Sequence, residues 1–180
     1  MLGRTFFQRQ CEVQAAKHDY TADLPDILLM GAVPLDDIWL ASDLYNNHFV
    51  LMARKDHPVF NQALDVKTFA RLPQIPVSPR GGGFTGPVDD ALALIGLSRH
   101  IVMSLSRFSS LPVILSQTEL IAAVPKRFAD MTFVQTLCAS RALPLAVPHF
   151  AMKLMWHMTR NNDPVLIWLK KRLQDLTQPQ

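Results

Sequence analysis

A short apolar run, Gln74 to Val77, leads into Ser78-Pro79-Arg80, three glycines follow, and a helix signal opens at Pro87. Four of the chain's 7 glycines (Gly81, Gly82, Gly83 and Gly86) fall in this stretch. A strand that passes through such a loop into a helix belongs to an α/β architecture. Glycine permits positive φ and close backbone approach, and the helix beyond offers free N–H groups and the positive end of its dipole. With Arg80 beside it, the loop suits a carboxylate or another small anionic group. It lacks the Lys-Ser/Thr pair of a phosphate-binding P-loop, so a turn without a ligand is the alternative reading.

The rest of the chain alternates strands and helices in the same way. Strands are expected at Cys11–Ala16, Ile27–Met30, Phe49–Ala53, Ile75–Val77, Ile101–Leu105, Leu120–Val124 and Ala151–His157. The run Phe49–Ala53 is apolar without a break, as in a strand buried on both faces. Asp65 caps a helix through Phe69, with Pro73 as its stop. Pro87 opens the clearest helix, with Val88, Ala91, Leu92 and Ile95 on one face and Gly96 at its end. Ser109 or Ser110 caps a helix through Leu115, and Phe128–Leu137 reads as helical. Asp163-Pro164 starts a last helix through Leu173, with Lys170, Lys171 and Arg172 suited to its negative end. This order predicts a largely parallel sheet with helical crossovers.

Five blocks in register resemble the effector-binding domain of LysR-type transcriptional regulators, from about Cys11 to Leu173. Ser78 to Gly83 with the helix Val88-Asp89-Asp90-Ala91-Leu92 is the first. The others are Leu24 to Gly31 (similar to the family's D-L-A-I-G strand), Phe49 to Pro58 (a strand, then His-Pro), Thr118 to Pro125, and Met152 to His157. The resemblance implies a periplasmic-binding-protein-like fold of type 2, with two lobes of mostly parallel sheet and a ligand cleft between them. It divides the chain into an outer lobe, 1–47 with 139–180, and a second lobe, 48–138. It also implies a parent with a winged helix-turn-helix and a long dimerisation helix, so DNA is expected as a partner only through that module, which these residues do not contain. The outer lobe is expected to be shortened: only Thr21–Leu24 separate Tyr20 from Pro25, where the family has a helix. Either the sequence is a fragment or its gene encodes a shortened product.

In open α/β sheets, ligands bind beyond the carboxyl ends of strands. That rule directs attention to Ser78–Phe84, Ser106–Ser109 and Gly31–Val33. Ser78 and Arg80 are expected to hydrogen-bond and charge-pair with an effector, or else to be a turn-stabilising serine and a solvated arginine. Gly82, Gly83 and Phe84 would present backbone N–H groups and one apolar wall. Ser106 and Phe108 follow a strand and precede a helix, with core packing as the alternative for Phe108. Gly31 and Ala32 end another strand. His157 is a cleft candidate or a satisfied histidine.

Composition narrows the remaining classes. The 180 residues are 49% hydrophobic and 18% charged, enough for a sizeable core and too apolar for disorder. A net charge of +3 without a Lys/Arg block gives little support to a nucleic-acid face. Cys11 and Cys138 lack metal-ligand spacing, as do His48, His57 and His100, so neither a metal nor a cofactor is expected. No secretory signal and no membrane span is read, which points to the cytoplasm and away from a transport solute-binding protein, the second functional reading. An enzyme is the third. No G-x-S-x-G, H-E-x-x-H or dinucleotide fingerprint is present, and the carboxylates of Asp89-Asp90 diverge on a helix. A ligand-sensing regulator domain leads, with a small anionic aromatic or aliphatic acid as effector and a homodimer or higher oligomer as the assembly.

Overall fold

The computed structural model describes residues 27–31, 37–78 and 86–177. The expected strand Cys11–Ala16 and the shortened part of the outer lobe lie outside them. In chain order the strands are β1 Leu28–Met30, β2 Trp39–Asn47, β3 Phe49–Arg54, β4 Pro73–Gln74, β5 His100–Ile101, β6 Ala122–Pro125, β7 Cys138–Ala142 and β8 Phe150–His157. The helices are α1 Val66–Arg71, α2 Pro87–Ala93, α3 Leu111–Ser116, α4 Lys126–Ala129, α5 Thr132–Leu137 and α6 Pro164–Thr177. Contacts gather the described residues into two units. Residues 48–78 and 86–148 form the first; residues 27–31, 37–47 and 149–177 form the second.

Unit one is built around β3. Its apolar run alternates between two cores, as the two-residue period of a strand requires. Val50 and Met52 join Ala122, Val124, Leu111, Leu115 and Val134 on one face. Leu51 and Ala53 join Ile121, Ala123, Phe69, Val88 and Leu92 on the other. Helices therefore cover both sides of the sheet, with α3 and α5 on the first face and α1 and α2 on the second.

Strand direction departs from the expected mostly parallel sheets. β3 pairs antiparallel with both β6 and β7. β4 pairs parallel with β5, and a parallel bridge joins Gln74 to Ile121 at the start of β6. β4, β5, β6 and β7 thus run one way, and β3 runs against them from between β6 and β7. Because β7 belongs to this ladder, the unit extends to Pro148, past the boundary expected after residue 138. Small and polar residues make β7 (Cys-Ala-Ser-Arg-Ala) hard to recognise as a strand.

Most of the expected helices form, and their ends follow local chemistry. Asp65 accepts the Thr68 N–H at 2.8 Å and caps α1. These bonds hold its carboxyl below the usual aspartate range. At the end of α2, Gly96 takes φ +70°. Leu97 N donates to Leu92 O and Gly96 N to Ala93 O, the paired bonds of a Schellman stop. Ile95, expected on the buried face, lies in that stop and is 54% exposed. The expected single helix over Phe128–Leu137 is two, α4 and α5, because Met131 is extended (ψ 133°).

The start of α2 is tied down by a buried ion pair. Asp89 Oδ2 accepts from Gly86 N at 2.8 Å and from Arg99 Nη2, and its Oδ1 accepts from Arg99 Nε at 2.8 Å. The Arg99 side chain is 5% exposed and that of Asp89 16%.

Unit two is an antiparallel sheet in the order β1-β8-β2. α6 packs along it. Gln174 Nε2 donates to Ser42 Oγ at 3.2 Å, and Lys170 Nζ lies 3.8 Å from the Trp156 ring centroid. Asp163 accepts from Val165 N and from Arg160, which starts the helix at the expected place and holds the Asp163 carboxyl low. No described helix is long and apolar enough to cross a membrane.

Three outcomes follow from these contacts. Gly96→Ala should cost about 1 kcal/mol in denaturant unfolding, purely from backbone strain, because nothing lies within 4 Å of the added Cβ. Arg99→Met should cost about 2–4 kcal/mol by leaving Asp89 unpaired in a shielded site, and adding Asp89→Asn should restore part of that. Cys138 is 3% exposed, and burial pushes its thiol up to about 11. In a Cys11→Ser background, iodoacetamide at pH 8 should therefore leave Cys138 unlabelled until denaturant is added.

Candidate functional site

The carboxyl ends of the parallel strands in unit one meet at one edge. Val77 and Leu105 form a parallel bridge, Ser78 N donates to Leu105 O at 2.7 Å, and Leu105 N donates to Pro76 O at 3.0 Å. Ser78 and Ser106 therefore leave neighbouring strand ends side by side, Ser78 half-buried and Ser106 exposed. Both are hydroxyl donors and acceptors at the mouth of an apolar sheet, a suitable provision for orienting one small polar ligand.

Two further groups share this edge and were not among the expected site residues. Pro125 at the end of β6 pairs with Phe49 at the start of β3, and Lys126 N donates to His48 O at 2.8 Å. His48 and Lys126 thus stand where β3 begins and β6 ends. The strand-end rule, applied to β6 as well, would have found Lys126. Its ammonium is held by Asp130 one helical turn on.

Phe108 takes its packing alternative. Its ring lies 5.1 Å from that of Phe128 and rests on the core cluster that contains Val50 and Leu111. Arg80, Gly82, Gly83 and Phe84 lie outside the described residues, as does Ala32. What can be seen of the loop's downstream flank is the start of α2, where the Asp89 carboxylate already accepts the Gly86 N–H. With Asp89 and Asp90 both in its first turn, α2 brings its own negative charge to its positive end.

In unit two the residues expected together lie apart. Gly31 follows β1, whose Met30 stands opposite Lys153 of β8, and a Cβ at Gly31 would touch Phe150 at an ordinary 3.6 Å. His157 closes the other end of β8, opposite Trp39. At about 3.3 Å per residue, Lys153 and His157 are on the order of 13 Å apart along the strand. The antiparallel direction of β8 is the cause, since it sends its carboxyl end away from that of β1. His157 is occupied locally: Nδ1 lies 2.6 Å from Thr159 Oγ1, and Trp39 meets its ring edge-on at 6.0 Å.

Other ionisable groups serve the scaffold. Arg54, at the far end of β3, donates to Glu119 Oε1 through Nε and Nη2 and also pairs with Asp56. Asp56 and Glu119 raise its pKa above the ordinary arginine value, and the Arg54 guanidinium in turn lowers that of Asp56. Buried His57 accepts from Val59 N at 3.0 Å through Nδ1, and its Nε2 lies 3.2 Å from Glu119 O. The cluster fastens the end of β3 to the segment before β6. Among the described residues, no three His, Cys, Asp or Glu side chains are grouped to hold a metal. An open groove of about 520 Å³ runs past Arg99 and His100 to Ser104 along the β5 edge, beside exposed Val102 and Met103.

Known proteins share this sequence and fold. The family model for the LysR substrate binding domain matches residues 19–178. The HTH-type transcriptional activator NahR of Pseudomonas putida is 31% identical over 150 residues, 83% of this chain and 50% of NahR. NagR of a Ralstonia species, also an HTH-type transcriptional activator, is 32% identical over 161 residues, 89% of this chain and 53% of NagR. The chain spans about half the length of these relatives. The regulatory domain of CcmR from Synechocystis, solved in complex with 2-PG, superposes with a TM-score of 0.72 at 12% identity. The match covers 96% of this chain and 80% of that one. With the family model spanning both units and solved regulatory domains sharing the fold, the chain belongs to the LysR substrate-binding-domain family.

Proposed function

We propose that this chain is the effector-sensing domain of a cytoplasmic LysR-type transcriptional regulator. A small molecule binds at the strand-end edge marked by Ser78 and Ser106, and binding changes lobe or oligomer geometry. A winged helix-turn-helix in the parent carries the response to DNA. The match of residues 19–178 to the LysR substrate binding domain carries this reading. The activators NahR and NagR support it by their similarity, and the CcmR domain by its bound small molecule.

The effector is a small anionic acid, aromatic or aliphatic. Ser78 and Ser106 orient its polar end, Arg80 pairs with its charge, and Gly82, Gly83 and Phe84 line the approach. No chemistry is performed on the effector, and the free energy of binding goes into selecting one conformation over another. The assembly is a homodimer or higher oligomer.

Binding is tested on the 180-residue chain by thermal shift and calorimetry with benzoate and hexanoate as probes. At an acid concentration about 100-fold above the dissociation constant, the folded state should gain about 2.7 kcal/mol. Arg80→Gln should weaken binding by about 10- to 100-fold, the loss of one charge-assisted contact. Unchanged affinity in Arg80→Gln and Ser78→Ala would remove those residues from the site. In mobility-shift assays at physiological salt, the chain alone should show only weak, salt-sensitive DNA retention. Sequence-specific retention would overturn the domain reading.

A further inference from the structure

Arg107 stands one residue beyond Ser106, where the chain leaves the strand end at Leu105 for the turn Phe108–Ser110. Its backbone is extended, with φ −143° and ψ 141°. Successive side chains of an extended segment point to opposite sides. Phe108 is turned inward, against Phe128 and the core that holds Val50 and Leu111. Arg107 is therefore turned outward, and it is exposed.

The Arg107 guanidinium is uncommitted. Its backbone carbonyl accepts from Ser110 Oγ at 3.5 Å, while its side chain makes no ion pair or hydrogen bond among the described residues. Elsewhere in unit one, Arg54 is held by Asp56 and Glu119, Arg99 by Asp89, and Arg141 by the carbonyls of Val59 and Gln62. At the strand-end edge itself, the Lys126 ammonium and the Asp130 carboxylate neutralise each other. The place beside Ser78 and Ser106 thus keeps a permanent positive charge. A guanidinium stays protonated throughout the physiological pH range, and its planar fork matches a carboxylate. Its base is fixed on both sides, by the ladder bonds of Leu105 and by the ring contact of Phe108 with Phe128. Only the side chain itself has to be ordered when an anion arrives, which lowers the cost of binding.

We infer that Arg107 is a specificity-determining residue of the proposed effector site, taking the carboxylate of an acid whose polar end lies by Ser78 and Ser106. The inference rests on the effector reading and adds to it a charge contact anchored on the sheet, besides that of Arg80. Acids are preferred over neutral analogues of the same shape because only the charged form uses the fork.

Calorimetry on the whole chain, with benzoate and hexanoate as probes and benzamide as the neutral competitor, tests this. Arg107→Gln should weaken both acids about five- to tenfold, between the worth of an exposed ion pair and that of a charge-assisted hydrogen bond. Benzamide should bind the two proteins alike, and Arg107→Lys, which keeps the charge without the fork, should fall between them for the acids. Raising salt from about 50 to about 500 mM should weaken acid binding more in the original chain than in Arg107→Gln. With no ligand present, Arg107→Gln should melt within about 2 °C of the original, since the side chain has no partner to lose. Equal acid affinity in Arg107→Gln would overturn the inference and leave the effector reading standing. So would an equal loss for benzamide, which would mark a contact indifferent to charge, or early melting of the ligand-free variant, which would make Arg107 a scaffold residue. An original chain that binds neither acid would overturn both readings together.

Discussion

Unit one rests on a strand that has no solvent face. β3 sends Val50 and Met52 into one core and Leu51 and Ala53 into the other. Leu51, Met52 and Ala53 are fully buried. A strand in that position is satisfied only when ladders close both its edges and helices cover both its faces. β6 and β7 supply the ladders, and α1, α2, α3 and α5 supply the cover. The strand ends that carry Ser78 and Ser106 inherit their position from this arrangement, through the bridge of Gln74 to Ile121 and the pairing of β6 with β3.

The parts of this fold that were legible in the sequence are those with a local cause. The unbroken apolar run of β3, the Asp65 cap, the Gly96 stop and the Asp163-Pro164 start each depend on neighbours in the chain. Strand direction does not. Side-chain alternation is the same in parallel and antiparallel ladders, so nothing in Phe49–Ala53 or Ala151–His157 reveals that β3 and β8 run against their neighbours. β7 and β2 escaped for a different reason. Cys-Ala-Ser-Arg-Ala and the polar end Asp43 to Asn47 carry too little apolar contrast to register as strands.

The same distinction separates the site residues. Ser78 and Ser106 stand side by side because both follow strands that run in parallel, the arrangement to which the carboxyl-end rule applies. His157, a cleft candidate or a satisfied histidine in the sequence, ends an antiparallel β8 at the far end from Gly31 and is engaged locally by Thr159. Phe108 sits within a turn that leads into α3, and a ring at that position has a core beside it in Phe128 and Leu111. The resemblance to a known family carried the fold and the functional class. Where each candidate residue stands depends on which way its strand runs.

The start of α2 has a consequence for what the glycine loop can bind. The Asp89 carboxylate, held by Arg99, already sits on the Gly86 N–H, in the manner of an anionic ligand that never dissociates. A tethered group of this kind acts at an effective concentration of at least millimolar. A diffusing acid that sought the same amide would compete with a resident rival and meet the charge of Asp90 as well. On the proposed reading, selectivity for an effector is then set on the strand side of the loop, at the hydroxyls of Ser78 and Ser106, and a molecule rich in negative charge is at a disadvantage against one that carries a single charge on an otherwise apolar body.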